Sequence, residues 1–225
     1  MRLRFQPISV SNPGVTNLPY LCDTPQKLKS DLTLVLAHGA GAPMDSDFMG
    51  ALAGLICAGG ISVVRFEFPY MAQRRETGKK RPPDRMPALM AAFEQVVDEL
   101  GGAEACVVAG KSMGGRVASM LLAENRARAA ISLGYPFHPP GKPDNVRRDH
   151  WPQIKRPWLI VQGTRDPFGK PGEVNAYGLP ASARVQWLED GDHDFKPRKA
   201  SGLTQGQHWQ QAADWVCEFM VGLGK

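Results

Sequence analysis

The sequence predicts a doubly wound α/β domain, a mostly parallel sheet with helices on both faces. Three observations point to it. Short apolar runs alternate with segments of helical spacing, glycine pairs close the helical segments, and 225 residues suit one α/β domain without a second core. No composition break, internal repeat or low-complexity tract divides the chain, so a single domain over 1–225 is expected.

The elements follow in order. The first 30 or so residues leave room for one or two edge strands. Leu32–His38 is a short apolar run bounded downstream by glycines and reads as a buried strand. Ser46–Ala58 carries Phe48, Leu52, Leu55 and Ile56 at helical spacing and stops at Gly59-Gly60. Ile61–Phe68 is a second strand. Met86–Leu100 repeats apolar residues along one face and ends at Gly101-Gly102. Ala105–Ala109 is the next strand, and a Gly-rich turn then opens a helix from Met113 to about Asn125. Ala129–Leu133, Trp158–Val161 and Val185–Leu188 read as strands, and a last helix runs from about Thr204 to Leu223. The proline-rich stretch Pro136–Pro143 is a loop. Strands joined through helices pair in parallel by right-handed crossovers.

Composition excludes several classes. Apolar residues are 43% and charged residues 22%, values of an ordinary folded domain rather than a disordered one. The N-terminus has no continuous apolar stretch followed by a small-residue cleavage site, and nowhere do about 18 apolar residues run uninterrupted. A cytoplasmic protein with no membrane span is expected. Cys22, Cys57, Cys106 and Cys217 lie far apart, without C-x-x-C spacing, and read as reduced thiols. The net charge of +5 is concentrated between Arg74 and Arg85, where Gly78 and Pro82-Pro83 suggest an exposed loop. The bland reading is a solvated loop; the alternative is a patch attracting anions. No aromatics interleave with these charges, so nucleic acid is a disfavoured partner.

The chemistry gathers at strand ends. Gly110-Lys-Ser-Met-Gly114, followed by Gly115, is a G-x-S-x-G turn between a strand and a helix. In that context the serine stands on a strained turn, and glycines on either side let the backbone pass. Trp158–Gln162 runs into a loop carrying Asp166, and Val185–Leu188 into a loop carrying His193. The chain order Ser, Asp, His is that of the α/β-hydrolases. Open α/β sheets gather their sites at the carboxyl ends of strands, so Ser112, Asp166 and His193 can converge. A serine hydroxyl needs an imidazole to take its proton, and the imidazole needs an anion to fix its tautomer. Asp192 and Asp194 flank His193, but neighbours in sequence rarely reach the ring; Asp166 ranks first. The backbone N–H groups of Ala40 and Met113 are the expected oxyanion hole. His38, Gly39, Lys111, Tyr135 and His138 are candidate pocket residues, with structural duties ranking first for His38 and His138. His150 and His208 read as ordinary surface residues.

The segments His38-Gly-Ala-Gly-Ala42, Gly110–Gly115, Tyr135–Pro143, Gln162–Asp166 and Gly191-Asp-His-Asp-Phe195 resemble one α/β-hydrolase-like group. That group includes bacterial hydrolases, the testis-expressed protein 30 and the hydrolase-like region of an NSL histone acetyltransferase complex subunit. The resemblance spans about residue 32 to 219 and implies a dienelactone-hydrolase-like fold without a large cap. Lys111 is shared with the group and departs from the residues common before the serine of esterases and lipases. It could steady an anionic substrate or pair with an acid on the sheet, and pairing ranks first.

The expected function is hydrolysis of an ester, thioester or amide in a small-molecule acyl substrate through an acyl-enzyme on Ser112. No glycine fingerprint, P-loop or metal-ligand cluster appears, so no cofactor and no metal are predicted. The competing reading, which the resemblance also permits, is an interaction protein that keeps the fold without turnover. An anion- or nucleic-acid-binding module ranks lowest. The sequence leaves the oligomeric state and the acyl and leaving groups open, because the pocket depends on how the loops at 69–85 and 135–150 fold.

Overall fold

A computed structural model describes residues 20–224. Seven strands, β1 (Tyr20–Asp23), β2 (Thr33–Ala37), β3 (Val63–Phe66), β4 (Cys106–Lys111), β5 (Ala129–Leu133), β6 (Trp158–Gly163) and β7 (Ala183–Leu188), form one sheet in the order β1-β3-β2-β4-β5-β6-β7. Every pairing is parallel except that of β1 with β3. The expectation of a further edge strand before residue 20 falls outside the described residues.

Six helices complete the fold: α1 (Asp47–Ala58), α2 (Pro69–Thr77), α3 (Met86–Glu99), α4 (Met113–Ala123), α5 (Pro171–Ala176) and α6 (Gln205–Gly222). Strand residues alternate between two cores. Val35, Phe66, Val108 and Ile160 join residues of α3 and α4 on one face; Leu36, Val63, Val107 and Ile131 join residues of α1 and α6 on the other. Among the described residues no helix is long and apolar enough to cross a membrane. The four cysteines are unpaired, and burial pushes the Cys106 thiol up to about 11, which keeps it protonated.

This strand order places the site. From β2 the chain crosses to β3 on one side, and from β4 it crosses to β5 on the other, so the two connections diverge at the β2–β4 junction. Diverging loops leave a crevice at the carboxyl ends of those strands. Residues 38–42 leave β2 there, and Ser112 leaves β4 there.

Three readings from sequence need correction. Residues 69–77 are a helix, not a loop. Pro69 occupies its first turn, Gly78 closes it at φ 70°, and only Tyr70 and Met71 are buried. With so small an apolar face, its spacing carries little signal. Half of the basic residues between Arg74 and Arg85 are tied down: Arg75 pairs with Asp45 and Glu67, Arg81 pairs with Asp84, and Arg74 donates to the Gly41 carbonyl, while Lys79, Lys80 and Arg85 are exposed. Residues 79–85 are irregular, as expected. His208 is buried beside Ala212 and Ala213 on the inner face of α6, where its Nδ1 donates to the Phe195 carbonyl.

His150 is not an ordinary surface residue either. It is half-buried against α4, with Nε2 2.8 Å from Ser119 Oγ. Because Ser119 Oγ donates to the Arg116 carbonyl, the imidazole N–H donates to the hydroxyl. Burial, then the nearby Arg116 charge, pushes His150 down to about 4, partly offset by Asp149. The folded-state value lies below the unfolded one, so His150 favours folding fully above about pH 6.5 and progressively less as pH falls toward 4. Urea unfolding between pH 7 and 4 should therefore show a falling stability whose slope is reduced in His150→Gln; identical slopes would remove His150 from the acid response.

Candidate active site

The turn that carries Ser112 is built by backbone crowding. Ser112 has φ 51° and ψ −112°, a conformation costly for a residue with a Cβ. Its neighbours leave no room for relief. A Cβ on Gly110 would stand 2.2 Å from Gly114 C, one on Gly114 2.6 Å from the His38 carbonyl oxygen, and one on Gly115 2.7 Å from the Gly110 oxygen. The Ser112 N–H donates to the Leu133 carbonyl of β5, and its own carbonyl accepts from Arg116 N–H in α4. Met113 opens that helix, so its N–H has no intrahelical partner and points toward the strand ends.

The loop after β2 is fastened from beneath. His38 is fully buried; Nε2 accepts the Phe68 N–H at 3.1 Å, which leaves Nδ1 to donate to the Gly39 carbonyl at 2.6 Å. Burial lowers its pKa, keeping it neutral. Tyr70 Oη donates to the Ala40 carbonyl at 2.9 Å. Gly39 brings this loop against the elbow, for a Cβ there would sit 3.8 Å from Ser112 Cβ. Ala40 thus stands exposed beside Ser112 with its carbonyl held away.

On the other side Asp166 and His193 are brought together. Asp166 is 0% exposed; Oδ2 lies 2.8 Å from His193 Nδ1, and Oδ1 accepts the Phe168 N–H. A buried carboxylate at Nδ1 selects the tautomer with the proton there, leaving the Nε2 lone pair free. The His193 side chain is 22% exposed, with its ring 4.4 Å from that of Phe168. Gly134 at φ 67° and Gly163 give the histidine loop its space: Cβ atoms there would lie 3.3 Å from His193 Nδ1 and 2.3 Å from the Gly191 oxygen. Among the described residues no hydrogen bond joins Ser112 Oγ to His193, and such contacts often tighten only around substrate.

The acids flanking His193 are engaged elsewhere. Asp192 Oδ1 accepts the N–H groups of Asp194 and Lys196, and Asp194 pairs with Lys111 at 3.2 Å. Lys111 Nζ also donates to the His193 carbonyl at 2.7 Å and lies over the Phe48 ring. This is the pairing reading of Lys111. Burial lowers its pKa, and the carboxylates around it, Asp194 first, counter that. Of the other pocket candidates, His38 and Tyr135 have wholly buried side chains that support loops rather than line an open pocket. His138 is likewise buried, bonded to the Pro139 carbonyl and to Glu173 of α5.

Sequence reasoning missed Gln162. It is fully buried at the end of β6; Oε1 accepts the Tyr135 N–H at 2.7 Å, and Nε2 donates to Asp166 Oδ2 at 2.9 Å. It thereby joins the β5 loop to the carboxylate that holds His193. The signal was present as an amide in the otherwise apolar run Trp158–Gly163. Gln162→Leu should cost about 1–3 kcal/mol in urea unfolding, because it leaves a buried N–H and a buried carboxylate short of partners. It should also weaken the downfield proton resonance of His193 Nδ1–H. Unchanged stability and spectrum would show the amide to be dispensable.

Solved structures share this architecture. Est1E from Butyrivibrio proteoclasticus superposes with a TM-score of 0.68 at 15% identity over 95% of this chain and 97% of its own. A dienelactone hydrolase from Anabaena variabilis gives 0.70 at 20% identity over 97% and 99%. A serine hydrolase without a lid from Xanthomonas campestris gives 0.64 at 20% identity over 88% and 89%. At these identities the likeness establishes the fold: a seven-stranded, mostly parallel sheet with helices and no large cap. The family profile described as "Alpha/beta hydrolase domain" matches residues 30–221, most of the length, and the chain belongs to the alpha/beta hydrolase family.

Proposed function

We propose that this protein is a serine hydrolase that cleaves an ester, thioester or amide through an acyl-enzyme on Ser112. The observation that carries this reading is the buried Asp166–His193 pair, 2.8 Å apart, at the same strand ends as the strained turn of Ser112. A serine held at positive φ and an imidazole oriented by a solvent-free carboxylate are arrangements that stability alone does not favour.

In this mechanism His193 Nε2 takes the Ser112 hydroxyl proton as Oγ attacks the acyl carbonyl. The N–H groups of Ala40 and Met113 receive the negative charge that develops on the carbonyl oxygen. His193 then passes the proton to the departing oxygen, sulfur or nitrogen, and the acyl group remains on Oγ. A water gives its proton to His193, attacks the acyl carbon and releases the acid, and the proton returns to Oγ. The Asp166 carboxylate, bonded to His193 Nδ1, stabilises the imidazolium. Lys111 acts on the backbone of His193 rather than on substrate.

A fluorophosphonate probe should label the wild type at Ser112 and leave Ser112→Ala unlabelled. That variant should keep its fold and lose about 10⁴-fold or more of any p-nitrophenyl ester turnover. Absence of labelling, with equal background turnover by both proteins, would favour the interaction-protein reading instead.

A further inference from the structure

Among the described residues most arginines are engaged. Arg65, Arg75, Arg81, Arg126, Arg128, Arg156, Arg165 and Arg198 each have a carboxylate within ion-pair distance, Arg74 and Arg148 donate to backbone carbonyls, and Arg85 and Arg184 are exposed. Arg116 and Arg147 differ. Both are partly buried, and among the described residues neither guanidinium has an ion pair or a hydrogen bond. Arg116 Nε is shut off from solvent without a partner.

The two lie in one place. Arg116 sits on α4, one turn, or about 5.4 Å of rise, beyond Ser112. Its carbonyl accepts from Ser119 Oγ, which bonds His150, and three residues before His150 stands Arg147, whose N–H donates to the Phe137 carbonyl. Ser119 Oγ, His150 Nε2 and Trp151 Nε1 all approach the Tyr135 hydroxyl within 3.5 Å, and the charges of both arginines bear on that hydroxyl. Burial and then the Arg116 charge push the Arg147 guanidinium below its usual value, a mutual repulsion. His150 is uncharged near neutrality, and Asp149 is exposed and joins no ion pair among the described residues.

Two like charges brought together and partly withdrawn from water, neither with an ion pair among the described residues, destabilise the fold unless something else compensates. Guanidinium pairs match the geometry of carboxylate and phosphate oxygens. We propose that Arg116 and Arg147 form a subsite, one helical turn from Ser112, that takes an oxyanion group, carboxylate or phosphate, carried by the substrate. This rests on the hydrolase reading and narrows it to acidic acyl compounds. The subsite lies on the β5 side of Ser112, away from α2, whose arginines are engaged.

The test compares p-nitrophenyl glutarate, whose acyl chain ends in a carboxylate, with the neutral p-nitrophenyl valerate. Wild type should favour the glutarate ester in kcat/KM, and the ratio should fall about tenfold or more in Arg116→Gln and in Arg147→Gln, mainly through KM. Equal turnover of both esters by the wild type, or an unchanged ratio in both variants, overturns the subsite. A binding arm separates its failure from failure of the hydrolase reading. Free glutarate or inorganic phosphate at ten times its Kd should raise the Tm of the catalytically idle Ser112→Ala protein by roughly 3 °C. The rise should vanish when Arg116→Gln is added. A rise that persists shows an anion bound elsewhere, and no rise with either anion also refutes the subsite, whatever the esterase result.

Discussion

The rest of the site depends on the backbone crossing at Gly110–Gly115. Three strand ends and a helix start converge there so closely that Gly110, Gly114 and Gly115 admit no Cβ, and Ser112 takes up the mismatch as a positive φ. A single constraint thus sets several things together. The serine is turned out of the sheet, the first N–H of α4 faces the strand ends, and β2 is brought within contact of β4. Any relaxation of the turn would displace all three.

Around this crossing the flexible parts are fastened from behind. Neutral His38 and the Tyr70 hydroxyl hold the carbonyls of Gly39 and Ala40, while Gln162 and Lys111 hold the two sides of His193, one through its carboxylate and one through its backbone. These groups are buried or nearly so, where a hydrogen bond lost is not replaced by water. The residues with free functional atoms therefore sit on a second set of polar residues. Most of that set faces the core.

Electrostatics divides the surface in the same spirit. In the basic segment after β3, the most conspicuous charge in the chain, the three arginines Arg74, Arg75 and Arg81 are tied to acids and a carbonyl around α2. Among the described residues, partly buried guanidinium groups with neither an ion pair nor a hydrogen bond are found instead at Arg116 and Arg147, which no charge run marks out. Local crowding of charge in a sequence says little about field, because a folded chain places acids from distant segments, such as Asp45 and Glu67, beside it.

By itself the sequence determined the layer architecture, the glycine-flanked turn at Ser112 and the chain order of Ser112, Asp166 and His193 at strand ends. The reason is local: strand runs, helical spacing and glycine-bounded turns are written in adjacent residues, and each candidate site residue lies in the turn or loop that follows a strand. The helix at 69–77 escaped because its buried face is two residues wide, and the burial of His150 and His208 because it depends on what packs against them. Gln162 was visible only as an amide in an apolar strand, and its role awaited the loops of β5 and β6. The pairing of Lys111 with Asp194, the tautomer of His38 and the meeting of Arg116 with Arg147 were decided by tertiary structure alone, since each joins groups whose distance and dielectric surroundings exist only once the sheet has brought its strand ends together.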